Sequence, residues 1–276
     1  MVCKSATWAF GIVSVIFAFV PESFFRVIGW IPTQTVQRNL ADRGITNIEI
    51  DIIISKMLCF AIIWGITTFF YTVRRSVRIK GDDYVIKVKY GNLLNETKCK
   101  TVINFDECYT THIGANPSDI KTSSICGQYL QSVGNGINIQ DLIDSAEIKP
   151  EKSISRFNNS LSYKPGSIIM NGDVLLLAFA TLDETGRAKF FNRDEYVECL
   201  SRMWKQIELN CSQTDVCIPI LGSGLTLFEG TSVSQQDLLN LMIWSYKLSP
   251  HKIKAPYELR IICRKSDGFS LNKIDA

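Results

Sequence analysis

Two long uncharged apolar runs near the amino terminus constrain this chain more than any other feature of its sequence. The first run covers residues 5–20 and the second covers residues 57–73. Each run is slightly shorter than the roughly 20 residues of a membrane-crossing helix, but aromatic residues at the ends of each run can extend the helices into the interface. The runs therefore predict two membrane spans, at about residues 5–21 and 57–73.

Each apolar run has an alternative interpretation. A cleaved signal peptide would also have a charged start and an apolar core of this length, but no small-x-small cleavage site precedes Pro21. A buried core helix is an alternative for the second run, although such helices rarely continue this far without a polar residue. We therefore expect a two-helix transmembrane hairpin within residues 1–80, followed by a separate domain within residues 81–276.

Basic residues after the second run predict the orientation of the hairpin. Arg74, Arg75, Arg78 and Lys80 lie close together without an acidic residue among them, whereas the basic residues of segment 21–56 are more dilute. Segments rich in lysine and arginine stay on the cytoplasmic side of a membrane. We therefore expect a multi-pass protein of the cell inner membrane, with both termini and the large domain in the cytoplasm.

The composition restricts the partners of the large domain. The nine cysteines include no Cys-x-x-Cys pair and are odd in number, which is typical of reduced thiols in a cytosolic protein. Two histidines are few for a metal centre, and a formal net charge of +3 does not favour a polyanionic partner. We therefore expect neither a metal site nor a nucleic-acid partner.

Beyond the basic segment, short apolar runs alternate with helical patterns. An Asn171-Gly172 pair predicts a hairpin turn, and helix starts are predicted at Asn192, with Glu195 three positions on, and at Ser234. Nearly continuous apolar strands favour a sheet covered on both faces. The predicted strands are 84–90, 100–105, 167–170, 174–180, 217–221 and 257–263, and the predicted helices are about 120–130, 193–210 and from 234 onward.

One buried strand ends in a turn with two glycines, in the stretch CIPILGSGLTLFEG. Glycine allows a positive φ and close approach to the main chain, and successive N–H groups in such a turn form a concavity suited to anions. The turn Gly222-Ser223-Gly224 is thus a candidate phosphate site. The alternative is that it is only a tight turn between two elements.

The stretch VKYGNLLNETKCKTVINFDECY, taken together with the glycine turn, resembles the macro-domain family over roughly residues 82–270. From this resemblance we expect a macro-domain-like three-layer α/β/α domain with a mixed sheet. In that family, a turn after one strand binds adenine, an asparagine loop after the next strand meets the distal ribose, and a later glycine loop holds the diphosphate. The resemblance implies that the ligand-binding residues are Asn92, Leu93, Leu94, Asn104, Phe105, Asp106, Glu107, Gly222, Ser223, Gly224, Leu225, Thr226 and Phe228.

The apolar runs, together with INFDECYTTHIGANPSDIKTSSICGQYL, make the whole chain similar to the membrane-spanning macro-domain effectors of type II Thoeris antiphage systems. The resemblance implies that a TIR-domain partner enzyme makes a histidine-linked ADP-ribose signal from NAD. It further implies that the effector binds this signal without a separate cofactor, forms a homo-oligomer, and disrupts the membrane so that the infected cell dies, as in abortive infection. On this interpretation the chain is a binding effector and has no catalytic residues.

Departures from the macro pattern leave an enzymatic alternative open. Asn92 stands where an acid usually accepts from the adenine amino group, and an amide oxygen can still accept that bond. The adjacent carboxylates Asp106 and Glu107 replace small residues and could be solvated, could hold the group attached to ADP-ribose, or could be catalytic. The main alternative function is a membrane-anchored ADP-ribosyl hydrolase. A dinucleotide oxidoreductase has little support, because no Gly-x-Gly-x-x-Gly follows an early strand.

Overall fold

A computed structural model describes residues 2–25, 47–116, 119–157, 159–190, 192–224, 226–228 and 232–274. The chain divides into two compact units, Met1–Arg74 and Arg75–Ala276. Residues 76–80, which the expected boundary at residue 80 grouped with the hairpin, form the first strand of the second unit.

The first unit is helical. Its described helices are α1 (Val2–Phe19), α2 (Glu22–Phe25) and α3 (Asn47–Val73). Of these, α3 contains a stretch, Ile52–Val73, that is long and apolar enough to cross a membrane, whereas the apolar part of α1, Ser5–Phe19, is shorter. Length and composition therefore support one span among the described helices, where the sequence predicted two.

Helices α1 and α3 pack against each other in antiparallel directions. Near one end, the Thr68 hydroxyl donates to Ser5 Oγ at 3.3 Å. Near the other end, Lys56 Nζ lies 3.2 Å from Glu22 Oε1 and over the ring of Phe25. Small side chains at a spacing of four residues, such as Ser5 and Ala9, are buried in this contact, which lets two helices approach closely.

Large apolar side chains cover the outside of this helix pair. Trp8 and Phe10 of α1, and Met57, Phe69 and Phe70 of α3, are each more than half exposed. Contiguous apolar surface of this kind is rare on soluble monomers and marks contact with a membrane or another protein.

In the second unit, the described residues form nine strands in one mixed sheet, in the order β1-β2-β9-β7-β3-β5-β6-β8, with β4 also paired to β5. Strands β2, β9, β7, β3 and β5 are parallel, whereas β1, β4 and β6 pair with their neighbours in antiparallel fashion. The strands are β1 (Ser76–Lys80), β2 (Val85–Tyr90), β3 (Cys99–Asp106), β4 (Ile168–Asn171), β5 (Val174–Leu182), β6 (Ala188–Phe190), β7 (Asp215–Pro219), β8 (Leu227–Phe228) and β9 (Glu258–Cys263).

Helices cover both faces of the sheet, as predicted. Helices α6 (Arg193–Asn210) and α7 (Gln235–Leu248) pack on one face, and α4 (Ile125–Val133) and α5 (Ile139–Ser145) pack on the other. Successive strand residues alternate between the two cores, which is the expected consequence of the pleat. The three-layer α/β/α arrangement and the mixed sheet are therefore confirmed.

The predicted helix starts are also confirmed. The Asn192 side chain accepts from the Glu195 amide at 2.8 Å, and the Ser234 hydroxyl accepts from the Asp237 amide at 3.1 Å. Each cap satisfies one amide group of the first helical turn. The predicted Asn171-Gly172 hairpin joins β4 and β5, with Gly172 at a φ of +59°.

Candidate functional site

The topology of the sheet places a crevice between two loops. Because β2, β9, β7, β3 and β5 run parallel, they all end at one edge, where Tyr90 pairs with Cys263. The chain leaves β3 toward the α4–α5 layer and leaves β7 toward the α6–α7 layer. Since β3 and β7 are neighbours, the loops that follow them diverge, and ligands of open α/β sheets bind at such a point. The candidate site therefore lies at this edge, between the loops that follow β3 and β7.

The first group of predicted residues forms a short turn after β2. The Asn92 side chain accepts from the Leu94 amide at 3.3 Å and caps a 3₁₀ helix, Leu93–Asn95. The Leu93 side chain is buried and packs with Cys217 and Ile262. Asn92 itself is exposed, and its amide oxygen has a second lone pair. Asn92 therefore lies in the turn that follows β2, while Leu93 anchors this turn to the sheet.

The second group lies at the end of β3. Asn104 is half-buried. Phe105 is only 4 % exposed and contacts Tyr109 and Tyr129, with ring centroids 6.2 and 6.4 Å apart. The Phe105 ring is therefore part of the core beneath α4, so any contact of this residue with a ligand would have to come from its main chain.

The two adjacent carboxylates have different partners, and both bind backbone amides. Asp106 Oδ1 accepts from the amides of Cys108 and Thr110 at 2.8 and 3.2 Å, and Glu107 Oε1 accepts from the Leu182 amide at 3.1 Å. Glu107 is 7 % exposed. The solvated interpretation of Glu107 is therefore wrong, because its carboxylate ties the end of β3 to the end of β5.

Burial changes the acidity of both groups. Desolvation raises the pKa of Asp106 above its usual value, although hydrogen bonds from Thr110 and Cys108 oppose this increase. Desolvation also raises the pKa of Glu107, opposed by the hydrogen bonds from Leu182 and Ser155. A raised carboxyl pKa in a cleft is a feature of functional sites, and also of structural networks.

The third group is the glycine turn after β7. Gly222 has a φ of +80°, and a Cβ at this position would lie 3.0 Å from Cζ of Phe228, so the turn requires glycine here. The Ser223 hydroxyl donates to the Ile220 carbonyl at 2.7 Å. The Ser223 amide also donates to this carbonyl, at 3.4 Å. The Ser223 amide, one of the three amides predicted to face a diphosphate, therefore already makes a long hydrogen bond within the turn.

Gly224 differs from Gly222. A Cβ at Gly224 would meet no atom of the described residues within 4 Å, and the residue is exposed. Thr226 is buried, at 8 % exposed. Leu225, also predicted to bind ligand, lies outside the described residues. Among the described residues, there is therefore open space beside the second glycine of the turn.

Phe228 supports this turn from below. Its ring is 3 % exposed, stacks on Phe190 with centroids 5.5 Å apart, and meets the edge of Tyr196 at 5.2 Å. The sequence left open whether Phe228 stacks on a ligand or packs in the core. The structure places the ring in the core, where it fixes the position of Gly222.

Sequence reasoning missed two residues that hold the start of the turn. The Tyr196 hydroxyl donates to the Leu221 carbonyl at 3.2 Å, and the Met242 sulfur accepts from the Leu221 amide at 3.3 Å. Tyr196 lies on α6 and Met242 lies on α7. The helical pattern of each sequence predicts only that the residue is buried. No local signal indicates that these side chains reach the glycine turn.

Two cavities of the second unit bear on the location of the site. The larger, of about 380 Å³, lies between α6, β8 and α7 and is lined mainly by apolar side chains that include Val197 and Trp244. The smaller, of about 220 Å³, is lined by Glu107, Thr181 and Arg202 among others. The larger cavity contains neither the glycine turn nor the polar end of β3, so its volume does not make it the candidate site. Among the described residues, no cluster of histidine, cysteine and carboxylate side chains could hold a metal ion.

A mixed sheet between two layers of helices, with the candidate binding turns at the carboxyl edge of its parallel strands, is the architecture of a macro domain. The family model of the macro domain of the Thoeris protein ThsA matches residues 86–264, and the chain belongs to this family.

A curated relative, the Thoeris protein ThsA of Bacillus amyloliquefaciens (strain Y2), is 27% identical over 195 residues, which cover 68% of this chain. The match spans 65% of the relative's length, just under two thirds.

Among solved structures, the chain is similar to the Oceanobacillus iheyensis macrodomain with ADP. The TM-score is 0.47 at 11% identity, with 69% of this chain and 89% of that chain covered. The same macrodomain with MES bound gives a TM-score of 0.46 at 12% identity, with 70% and 89% covered.

Proposed function

We propose that this chain is a membrane effector of antiphage defence whose macro domain binds a signal of the ADP-ribose class. The signal that we propose is histidine-linked ADP-ribose, made from NAD by a TIR-domain partner enzyme. The observation that carries the proposal is the joining, in one chain, of an apolar helix able to cross a membrane, Ile52–Val73, to a macro domain of the ThsA family.

The strand order supports a particular arrangement of the ligand. Along the carboxyl edge, the Asn92 turn follows β2, the glycine turn follows β7, and Asn104 lies near the end of β3, in the spatial order β2-β9-β7-β3. Neighbouring strands lie about 4.8 Å apart, so the glycine turn lies between the other two groups. In ADP-ribose the diphosphate likewise lies between adenine and the distal ribose. We therefore assign adenine to Asn92, the diphosphate to Gly222–Gly224 and the distal ribose to the end of β3.

The proposed output is assembly and disruption of the membrane. A ligand shifts a protein toward the state that it binds more tightly, so the assembled form must bind the signal better than the resting form does. On this proposal the apolar outer surface of α1 and α3 contacts lipid, and the basic residues that follow α3 support a cytoplasmic macro domain. The protein is thus a multi-pass protein of the inner membrane on this proposal.

A second candidate function, an ADP-ribosyl hydrolase, is supported by one observation. Glu107 has a pKa that burial raises, and it lines the cavity of about 220 Å³ near the end of β3. A buried carboxyl group of this kind can act as a general acid or base. Its hydrogen bond to Leu182 is equally consistent with a structural role, so the two functions have to be separated by experiment.

Calorimetric titration of the full chain in detergent micelles tests the proposal. Histidine-linked ADP-ribose should bind with a defined stoichiometry, should be recovered unchanged, and should increase the particle size. Absence of binding would contradict the proposal. Turnover of the ligand, abolished in Glu107→Gln, would establish the hydrolase instead; glutamine keeps an acceptor for the Leu182 amide but cannot exchange a proton.

A further inference from the structure

Two cysteine sulfurs lie in contact near the amino end of β3. Cys99 Sγ and Cys217 Sγ are 2.7 Å apart, and both cysteines are reduced in this structure. The strands that carry them are parallel neighbours, with Cys99 opposite Asp215 and Thr101 opposite Cys217. A disulfide requires sulfur atoms about 2.0 Å apart, so a movement of less than about 1 Å would bring these two sulfurs into bonding distance.

The two cysteines differ in solvent exposure. Cys217 is fully buried and packs with Leu93 and Ile262, whereas Cys99 is half-buried at the border of the same cluster. A small oxidant can therefore reach Cys99, while Cys217 is held behind it. This is the arrangement of an attacking thiol and a resolving thiol.

The surroundings of Cys99 favour its thiolate. A hydrogen bond from the Cys217 thiol lowers the pKa of Cys99 to about 7, while burial acts in the opposite direction. The hydroxyl of Thr101 and the charge of Arg260 also lower this pKa, and the carboxylate of Glu96 raises it. Glu96 is itself paired with Lys89, at 2.8 Å. Thiolate is the reactive form of cysteine, so a lowered pKa favours reaction at Cys99 rather than at Cys217.

We propose that Cys99 and Cys217 form a dithiol that peroxides oxidise to a disulfide. The Cys99 thiolate attacks hydrogen peroxide, the O–O bond breaks, and after proton uptake the products are a Cys99 sulfenic acid and water. The Cys217 sulfur then attacks the sulfenic sulfur, the S–O bond breaks, and the second water leaves. The two thiols thus lose two electrons and two protons to one peroxide, and thiol–disulfide exchange with a cellular dithiol restores them.

The disulfide would join the two strands that flank the candidate crevice. The residues that it connects are 118 positions apart in the chain, and a cross-link that closes a long loop stabilises a fold chiefly by restricting the unfolded chain. Cys217 also contacts Leu93, next to the Asn92 turn. Oxidation would therefore stabilise the sheet beneath Leu93, which anchors the Asn92 turn.

Peroxide treatment of the full chain in detergent micelles tests this proposal. After remaining thiols are alkylated and the protein is digested, mass spectrometry should find one cross-linked peptide that contains Cys99 and Cys217, and the oxidised protein should melt at a higher temperature than the reduced protein. Recovery of both cysteines as alkylated thiols, or pairing of Cys99 with another cysteine, would overturn the proposal.

A matched comparison within the same chain tests the activation of Cys99. Cys108 is also half-buried, but burial raises its pKa to about 11. At pH 7, iodoacetamide should therefore modify Cys99 faster than Cys108 by a factor on the order of one hundred. Equal rates would contradict the proposed role of Cys99.

The variant Cys217→Ala removes the resolving thiol and its hydrogen bond. Alkylation of Cys99 should become slower in this variant, and peroxide should leave a sulfenic acid at Cys99 that dimedone traps, with no increase in melting temperature. The control variant Cys108→Ala should form the Cys99–Cys217 disulfide as the parent does. An unchanged alkylation rate in Cys217→Ala, together with no dimedone adduct, would refute the proposed chemistry.

Discussion

A side-chain carbon at Gly222 would lie 3.0 Å from Cζ of Phe228, at a residue whose φ is +80°. Both the backbone and the contact below it therefore require glycine at this position. Gly222→Ala should lower the free energy of unfolding by about 1–3 kcal/mol, the cost of holding a non-glycine residue in this region of φ. Denaturant unfolding measures this change.

The second glycine of the same turn provides the control. A Cβ at Gly224 would meet no atom within 4 Å in the described part of the chain, and no positive φ requires glycine there. Gly224→Ala should therefore leave the free energy of unfolding within about 0.5 kcal/mol of the parent. If both alanine variants had the same stability, the backbone geometry described for this turn would be wrong.

Gly224→Glu should abolish binding of ADP-ribose compounds without unfolding the protein. A carboxylate beside a bound diphosphate places like charges together, which costs on the order of several kcal/mol, or roughly a hundredfold or more in affinity. Calorimetric titration measures the affinity, and thermal melting should be unchanged. Gly224→Gln, of nearly the same size, should lose less affinity, because it adds bulk without charge. Binding by Gly224→Glu as tight as that of the parent would refute the phosphate assignment.

The pair Glu208–His251 should make stability depend on pH. His251 Nδ1 lies 2.7 Å from Glu208 Oε2, and this hydrogen bond lowers the pKa of Glu208 below its usual value of 4.5. A carboxyl group whose pKa is lower in the folded state stabilises the fold at pH values above its unfolded-state pKa. This contribution is lost as the pH falls through the folded-state pKa. The effect should be small, about 1 kcal/mol or less, because the carboxylate is 34% exposed.

Glu208→Gln tests this dependence. Its free energy of unfolding should be lower than that of the parent at pH 7, and the difference should decrease below pH 4.5, where the Glu208 carboxylate of the parent becomes protonated. Melting curves of both proteins at several pH values measure the difference. A difference that stays constant from pH 7 to about pH 3 would show that the ionised carboxylate contributes nothing.

The membrane orientation predicts where reporters are active. A reporter fused after Ala276 should be cytoplasmic, because basic residues follow α3. A cysteine placed near Gln37, which lies outside the described residues, should react with an impermeant reagent added from the other side. Extracytoplasmic activity of the fusion at Ala276 would contradict the orientation.

Much of the fold could be predicted because its signals are local. The caps at Asn192 and Ser234 and the Asn171-Gly172 turn depend on residues a few positions apart, and each lies where the sequence placed it. Strand β1 was missed although its burial alternates, because Arg78 and Lys80 were interpreted only as markers of orientation. Strands β6 and β8 are too short to show an alternating pattern in the sequence. They form because β6 pairs with β5 and β8 pairs with β6.

The candidate site depends on relationships that a local pattern does not contain. The glycine turn was visible in the sequence, but the adjacency of β3 and β7, which places it beside Asn104, follows from the strand order. The helical period alone also does not predict which single side chains are buried. The helical period places Val197 on the same face as Leu200 and Trp204, yet Val197 is 46% exposed, because the buried face turns toward Tyr196 and Met203.

Release of a trapped dye from lipid vesicles tests most directly whether signal binding in the macro domain disrupts the membrane. With the full chain inserted, histidine-linked ADP-ribose should trigger release, whereas Gly224→Glu should insert equally well and release no dye. Release that begins without ligand, or that the ligand triggers equally in Gly224→Glu, would contradict the proposed coupling between the glycine turn and the membrane.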